Sequence, residues 1–508
     1  MSSRMLVGQH IEHNARRFPD KLALQEADGR GWTYADLNRF ANQVAHALRA
    51  AAIGHGDKVA ILCDSRLEWV GLYVGIVKLG AVAVPLNYRL TPAEMAENAS
   101  DADVRLLFAL ESLAVPLPEL LPDLRTVLID SPGGDGLDRF LEHQHTENVS
   151  ARLQASDANV ILFTGGTTGR SKGVVLSHEN LFWNSLDEII DTHMHEGDNT
   201  LLATPLHHSA ALNCWLLPHL YLGATATLLP KYSAEAMLRT IAEQRVTNAF
   251  SPPSVARELY LHPLARTLDL SSFRRWYIGG GILADQDRQA IHDLIPGVRI
   301  YFQYGLTEAG PIVTVLKEED AERGAGSIGR AFINFEVKIL RDDLSDAELG
   351  EEGEIAVRGP AVMAEYYKRP EATQAVFHGD WLRTGDSGVM DAGGFVHFRD
   401  RLKDMVKTGG LNVYSQEVER VLAQHPAVRE VGIIGLPSDK WGEEVTAIVA
   451  LRPARDAEAE ELMAFGREHL AAYKVPKRVI FIPYEEMPIN FSGKVMKRQL
   501  RARFVPAK

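Results

Sequence analysis

Two stretches of the chain alternate apolar, strand-like runs with helix-like ones, and this alternation restricts the fold more tightly than any other feature. Thr33 opens TYADLNRFANQVAHAL with Asp36 three positions on and Leu37, Phe40, Ala41, Val44 and Leu48 at helical spacing, the pattern of a capping box leading into an amphipathic helix. DKVAILC (Asp57 to Cys63), an apolar helix around Leu72, AVAVPLN (Ala81 to Asn87), a helix after Thr91 and VRLLFAL (Val104 to Leu110) continue the series. Strands separated by helices imply parallel sheets covered by helices. The alternation returns from Asn159 to about Gly305, after a Gly, Asp and His-rich connection from Ser131 to Glu147 that reads as a loop. Beyond about Gly324 the pattern changes to short strands between Gly-rich turns (FEVKIL, GEIAVRG, DWLRTGD, GGFVHFRD), which predicts an antiparallel β unit. From Gln416 a helix (EVERVLAQ), two strands (REVGIIGL, EVTAIVAL), a helix (AEELMAFGREHL) and a strand (KRVIFIP) make a compact α+β unit.

The expected fold class is therefore α/β. A large N-terminal domain, residues 1–400, holds two αβ-layered subdomains and a β-rich one, and a small α+β domain, 401–508, follows the charged stretch RDRLKDMVK. The net charge of −13, with no block of five basic residues, argues against nucleic acid or an anionic membrane as the main partner. A local positive pocket for a small anion stays possible. Cys63 and Cys214 are the only cysteines, so no disulfide framework or paired-cysteine metal site is expected. The N-terminus lacks the apolar run of a signal peptide. The longest apolar stretch, Trp69 to Leu86, carries Lys78 and three glycines, which suits a buried helix and strand better than a membrane span. A soluble, cytoplasmic protein is the expectation.

VILFTGGTTGRSKGVVLSH (Val160 to His178) is the strongest local signal. Between two apolar strands lie Thr164, Gly165, Gly166, Thr167, Thr168, Gly169, Arg170, Ser171 and Lys172. Glycines let backbone N–H groups curl around an oxyanion, hydroxyls add donors, and the two cations balance charge. A Gly/Thr hairpin turn without a ligand is the alternative. The loop is not a Walker A sequence, because Lys172 is followed by Gly173 and not preceded by Gly. A second Gly-rich stretch, WYIGGGILADQDRQAIHDLI, matches G-x-G-x-x-A at Gly279, Gly281 and Ala284. A dinucleotide site would need an acid at the end of the next strand. That strand, VRIYFQYG, offers Gln303 and Tyr304, so a dehydrogenase is excluded, although Gly279, Gly280 and Gly281 still let a flat ring or phosphate lie against the backbone. YGLTEAG then places Glu308 beside Thr307, a pair suited to a magnesium ion on nucleotide phosphates; a solvated loop carboxylate is the alternative.

Taken together these motifs resemble the adenylate-forming superfamily of acyl-CoA synthetases, nonribosomal adenylation domains and luciferases. TGGTTGRSKG resembles its phosphate loop, PLHHSA its substrate motif, and GGGILA and YGLTEAG its adenine and magnesium motifs. DWLRTGD, RDRLKDMVKTGGLNVYSQEVE and NFSGKVMKRQLR resemble its ribose, hinge and C-terminal lysine motifs. The likeness runs over essentially the whole chain, in the family order.

The resemblance implies ATP, Mg²⁺ and coenzyme A as co-substrate. Thr164 to Lys172 would hold the β- and γ-phosphates, Thr307 would reach the α-phosphate, and Glu308 would bind the metal. Gly279, Gly280, Gly281 and Tyr304 would flank adenine, and Asp386 and Arg401 would bind the ribose. A carboxylate accepts two hydroxyl protons and a guanidinium donates in a fixed fork. Lys494 would supply the cation between acyl carboxylate and α-phosphate. Lys403 would be the hinge of a mobile C-terminal domain, with the pantetheine arm of CoA passing near Gly409 and Gly410. His208 would sit near the acyl carboxylate or acceptor channel, a packed core histidine being its alternative.

Small and apolar residues dominate 209–215, 250–255 and 310–313, the segments expected to line the acyl pocket. An apolar or aromatic acid fits them better than a dicarboxylate or amino acid. Gly165, Ser171, Glu365 and Ser415 depart from the family pattern without removing a catalytic charge. The expected enzyme is thus an ATP-dependent acid–CoA ligase releasing AMP and pyrophosphate. An amide-forming ligase with an amine acceptor is the alternative, and a non-catalytic adenylate-binding module a remote one. Expected partners are the small-molecule acid, ATP, and CoA or an amine; a homodimer is compatible with the sequence, and any carrier protein is expected as a separate molecule.

Overall fold

The computed structural model describes residues 5–131, 136–164, 171–281, 283–438, 440–489 and 495–505. The chain divides into two compact units. The first comprises Met1–Arg323, Gly329–Glu336 and Val357–Leu382, and the second Gly324–Ile328, Val337–Ala356 and Arg383–Lys508.

Two sheets organise the first unit. In the seven-stranded sheet the order is Glu365–Tyr366, Lys172–Ser177, Ala158–Thr164, Val82–Pro85, Lys58–Leu62, Val104–Ala109, Arg125–Leu128. Its pairings are parallel from Ala158–Thr164 onward, and Lys172–Ser177 turns back antiparallel. The nine-stranded sheet runs Arg330–Ala331, Ile312–Leu316, Arg299–Gly305, Arg275–Gly279, Asn248–Ser251, Asn199–Leu202, Thr225–Leu228, Leu22–Glu26, Gly31–Thr33. It is parallel between Arg299–Gly305 and Leu22–Glu26, with antiparallel strands only at its edges. The alternation in the sequence produces this arrangement, since each parallel pairing needs a crossover.

Thr33 caps the helix Tyr34–Ala50 in a reciprocal box with Asp36, as its spacing predicts. The apolar stretch becomes the helix Leu67–Leu79 and the strand Val82–Pro85. Every residue of that helix except Glu68 is buried, the outcome expected of a helix that is apolar all round. Its glycines permit close packing on Tyr34–Ala50, for a Cβ at Gly75 would lie 2.7 Å from the Ala41 carbonyl. Lys78 is buried with its Nζ 3.0 Å from Glu12 and 2.7 Å from Asn38 Oδ1. The 131–147 connection is not wholly loop. It holds the helix Leu137–Leu141, whose two leucines are buried; four-residue spacing put them on one face, and the surrounding polar residues masked it.

In the second unit Trp381–Met390 pairs antiparallel with Val396–Arg401. A five-stranded sheet follows in the order Leu411–Val413, Val406–Thr408, Gly442–Leu451, Val428–Ser438, with Arg478–Phe481 on Gly442–Leu451. Alternate residues of its long strands enter different cores. Val431, Ile433, Val445 and Ala447 join one, and Ile434, Leu436, Ile448 and Ala450 the other, so helices cover both faces. The short hairpin Val406–Thr408 and Leu411–Val413 was not legible in sequence, three-residue strands being too brief to show a period. Among the described residues no helix is long and apolar enough to cross a membrane, and both cysteines are buried thiols.

Candidate active site

In the first unit the two apolar strands expected on either side of the Gly/Thr-rich loop are present. Strands Ala158–Thr164 and Lys172–Ser177 pair antiparallel, with Thr164 opposite Lys172. Gly165, Gly166, Thr167, Thr168, Gly169 and Arg170 lie outside the described residues. The short strand Glu365–Tyr366 extends the same sheet, Tyr366 opposite Val174. This register brings the Tyr366 ring under Lys172, whose Nζ is 4.8 Å from the ring centroid. The Tyr366 hydroxyl donates to Glu308 Oε1 at 2.7 Å, and the Met363 N–H donates to the Glu308 backbone carbonyl at 2.8 Å. Burial and the Glu308 charge push the Tyr366 phenol well up, so it remains a donor.

Thr307 and Glu308 occupy a single 3₁₀ turn at the end of strand Arg299–Gly305. Thr307 Oγ1 lies 2.9 Å from Ser209 Oγ, which ties this turn to the start of the helical segment Ala210–Leu216. That segment is wound as a π-helix, a rare geometry found often at functional sites. His208 precedes it. Its Nδ1 accepts the Ala210 N–H at 3.2 Å, which leaves Nε2 to carry the proton, and burial pushes the imidazole down to about 4. His208 is therefore neutral at physiological pH.

Gly279 ends strand Arg275–Gly279 opposite Gln303. Any Cβ there would stand 2.6 Å from the Gln303 carbonyl, so only glycine allows this approach of the two strands. Gly280 has φ +79° and faces open space, and Gly281 is exposed. Tyr304 is half-buried on the adjacent strand. Gln303, where a dehydrogenase would need an acid, donates from Nε2 to the buried Glu188 Oε2 at 2.8 Å.

In the second unit Asp386 faces Arg401 across the hairpin, Arg401 Nε standing 3.8 Å from Asp386 Oδ1. The strand residues just before Asp386, where Gly385 has φ +73°, are fastened by Glu354. Its Oε1 accepts the Gly385 N–H at 2.9 Å and its Oε2 accepts Arg383 Nε at 2.8 Å. The Asp386 N–H donates to Thr384 Oγ1 at 3.1 Å. Beneath this strand Asp400 Oδ2 accepts both the N–H and the hydroxyl of Ser415. Lys497 Nζ donates to Ser415 Oγ and pairs with Glu419 Oε1 at 2.9 Å. Ser415, a departure from the family pattern, is thus a link that proline could not supply, having neither N–H nor hydroxyl.

Lys403 follows this strand in a turn, its carbonyl accepting from Arg501 Nη1 at 3.0 Å, and burial followed by Arg401 lowers its ammonium below the usual lysine range. Gly409 and Gly410, with φ +57° and +81°, form the two-residue turn between strands Val406–Thr408 and Leu411–Val413, where such values favour glycine. Lys494 lies outside the described residues; Ile489 and Val495, which bracket 490–494, form an antiparallel bridge.

The first unit thus gathers Lys172, Glu308 and Thr307 with Ser209, and the second pairs Asp386 with Arg401. Tyr366, Glu354 and the Asp400–Ser415 link were missed in the sequence. Adjacent aromatics in AEYYKRP were the only signal for Tyr366, and nothing local marks the others. Among the described residues no three His, Cys, Asp or Glu side chains cluster as metal ligands. A single carboxylate, Glu308, beside the Thr307 hydroxyl and linked through Tyr366 to Lys172 nevertheless fits magnesium, which keeps phosphate and water ligands.

The AMP-binding enzyme family matches residues 11–367, and the AMP-binding enzyme C-terminal domain matches residues 417–494. A feruloyl-CoA synthase from Amycolatopsis is 35% identical, the match spanning 98% of this chain and 99% of that protein. Among solved structures, o-succinylbenzoate CoA synthetase from Bacillus subtilis with its acyl-adenylate intermediate is 30% identical, covers 98% of each chain and has a TM-score of 0.88. An amide bond synthetase from Marinactinospora thermotolerans is 28% identical over 99% of this chain and all of that one, with a TM-score of 0.87. Matches that run through both units in order, on a chain whose turn at Thr307 and Glu308 and whose hairpin of Ala158–Thr164 with Lys172–Ser177 share one unit, place this protein in the AMP-binding enzyme family, as an adenylate-forming ligase of the acyl-CoA synthetase type.

Proposed function

We propose that this chain joins an apolar or aromatic carboxylic acid to the thiol of coenzyme A through an acyl-adenylate, with the residue roles that follow. The observation that carries the reading is the connected set Lys172, Tyr366 and Glu308 beside the Thr307–Ser209 contact. A carboxylate oxygen of the acid attacks the α-phosphorus of ATP, the bond to the β-phosphate oxygen breaks, and pyrophosphate leaves. The thiol sulfur then attacks the acyl carbon, the bond to the AMP oxygen breaks, and the thiol proton passes to solvent.

Lys172 and the loop from Thr164 hold the β- and γ-phosphates as a cationic hairpin. Thr307 donates its hydroxyl to the α-phosphate, and Ser209 fixes that hydroxyl's position. Glu308 would hold Mg²⁺, which when bound neutralises charge developing on the departing phosphates; Tyr366 keeps one Glu308 oxygen engaged and so orients the other. Gly279, Gly280, Gly281 and Tyr304 take the adenine, and Asp386 with Arg401 the ribose hydroxyls. Lys494 supplies the cation for the first step, Lys403 is the pivot between the steps, and Gly409 and Gly410 admit the pantetheine arm. Neutral His208 positions the acid by donating from Nε2.

The relatives support an aromatic acid, two of them being named for ferulate and o-succinylbenzoate. Likeness to an amide bond synthetase over 99% of the chain favours, as a second reading, an amine in place of the thiol. A cytoplasmic enzyme acting on small molecules, with no nucleic-acid partner, is part of the proposal. The test is incubation with Mg·ATP and a panel of acids, with CoA or amines added, read by mass spectrometry. Acyl-AMP and acyl-CoA are expected. Amide products would favour the second reading, and ADP in place of AMP would overturn both.

A further inference from the structure

Three side-chain amides of the first unit are buried with hydrogen-bonding capacity left over. Asn184 and Asn213 are 0% exposed and Gln303 is 2% exposed. Asn184 Nδ2 donates to the Asn213 carbonyl at 2.9 Å, and Gln303 Nε2 donates to Glu188 Oε2 at 2.8 Å. Asn184 and Glu188 stand one turn apart on the helix His178–Asp191, so these contacts knit one polar cluster. Asn184 Oδ1, Gln303 Oε1 and both Oδ1 and Nδ2 of Asn213 have no hydrogen-bond partner. Buried polar atoms in folded proteins are almost always paired. One amide, Asn213, offers both an open donor and an open acceptor.

Their placement says what could pair them. Asn213 follows Ser209 by four residues in a π-helical segment, a little under one turn, so the two lie on nearly the same face. Ser209 meets Thr307. Gln303 lies two residues before the end of the strand that leads to Thr307, roughly 7 Å back along it. Both elements that converge on Ser209 and Thr307, where the acid's carboxylate is expected, therefore carry an open amide further along.

We infer that the acid activated by this enzyme bears a hydroxyl group remote from its carboxylate, held by Asn213 with Gln303 and Asn184 beside it. The inference rests on the acyl-activating reading above. A hydroxyl is both donor and acceptor, and it answers the two open atoms of Asn213 at once. An unsubstituted hydrocarbon would leave them without a partner, and a site built for a hydroxyl rejects the analogue that lacks it.

The test measures pyrophosphate release at limiting acid for matched pairs: cinnamic and 4-hydroxycinnamic acid, 3-phenylpropanoic and 3-(4-hydroxyphenyl)propanoic acid, hexanoic and 6-hydroxyhexanoic acid. In at least one pair the hydroxy acid should be favoured at least tenfold in kcat/KM. Asn213→Leu should shrink that preference to threefold or less, chiefly by improving the unsubstituted acid. Pyrophosphate release without hydroxyl preference in any pair overturns this inference alone and means that water satisfies the amides. Equal slowing of both acids by Asn213→Leu also overturns it, as a structural role. Should Asn213→Leu not fold by circular dichroism, the wild-type ratios decide, with Gln303→Met as the second variant. No acyl-AMP from any acid, hydroxylated or not, overturns the underlying reading.

Discussion

Replacing Tyr366 with phenylalanine deletes one oxygen and keeps the ring. That oxygen donates to Glu308 Oε1 at 2.7 Å, a hydrogen bond to a carboxylate, of a class that contributes about 1.5–3 kcal/mol. Tyr366 is 5% exposed, so water does not compete well for its hydroxyl. Glu308 is only partly buried, so water takes the vacated place on its carboxylate, and the variant leaves no buried donor orphaned. The lower end, about 1.5 kcal/mol, is therefore appropriate, and since 1.4 kcal/mol is about tenfold, the magnesium concentration for half-maximal pyrophosphate release should rise about tenfold. Because the carboxylate itself remains, kcat at saturating magnesium should stay within about twofold. The ring still lies under Lys172 at 4.8 Å. Tyr366→Leu loses that cation–π contact as well, worth about 0.5–1 kcal/mol, and should weaken ATP binding too. The assay is coupled pyrophosphate release with free magnesium titrated at fixed ATP. An unchanged magnesium dependence in Tyr366→Phe, with the protein folded, would refute an orienting role of Tyr366 on Glu308, the carboxylate proposed to hold magnesium.

Lys494→Ala should abolish acyl-AMP formation but spare acyl transfer from synthetic acyl-AMP; equal loss in the two half-reactions contradicts its assigned role. Lys403→Pro fixes φ at the proposed pivot and should slow thioester formation more than adenylation, measured separately by quench-flow. Ser415→Ala removes the hydroxyl between Asp400 and Lys497 and should cost about 2–3 kcal/mol in urea unfolding, as a hydrogen bond to buried charge does. Burial raises the Glu188 carboxyl to about 8. Its folded value thus lies above its unfolded one, and the stability it contributes is full below the ordinary glutamate range and declines as pH rises toward 8. Asp187, raised to about 7, acts in the same direction. His178, His208 and His219 are pushed down to about 4 and, being neutral in both states above about pH 7, add little slope there. Unfolding free energy should therefore fall between pH 7 and 8, by up to about 1.4 kcal/mol per unit for Glu188, and Glu188→Gln should flatten the fall in urea titrations at the two pH values.

What was legible in the sequence, and what was not, follows from how far apart in the chain the partners stand. The capping box at Thr33 and Asp36 spans four residues and the glycine turn at Gly409 and Gly410 two, so each carries its whole cause in a short window. Strand and helix order was readable for the same reason, since period and length are local. Lys172, at the end of the Gly/Thr loop, and Glu308, beside Thr307, were also readable from their short motifs, whereas Asp386 and Arg401 were singled out only by the family resemblance. The connectors were not. Tyr366 joins residues 136 apart in the chain, Lys172 and Glu308, and it does so only because strand Glu365–Tyr366 pairs beside Lys172–Ser177 in one register. Slipping that pairing by one residue would turn the ring to the opposite face. Gln303 illustrates the converse. Its position excluded a dehydrogenase, yet its bond to Glu188, 115 residues away, could not be read. Nor could the open amides around it, which no periodicity records. The sequence therefore marks groups able to do adenylation chemistry, whereas the side chains that orient Glu308, and those that would choose among acids, are selected by strand register and helix face. Specificity in this fold is accordingly a tertiary property even where reactivity is nearly a local one.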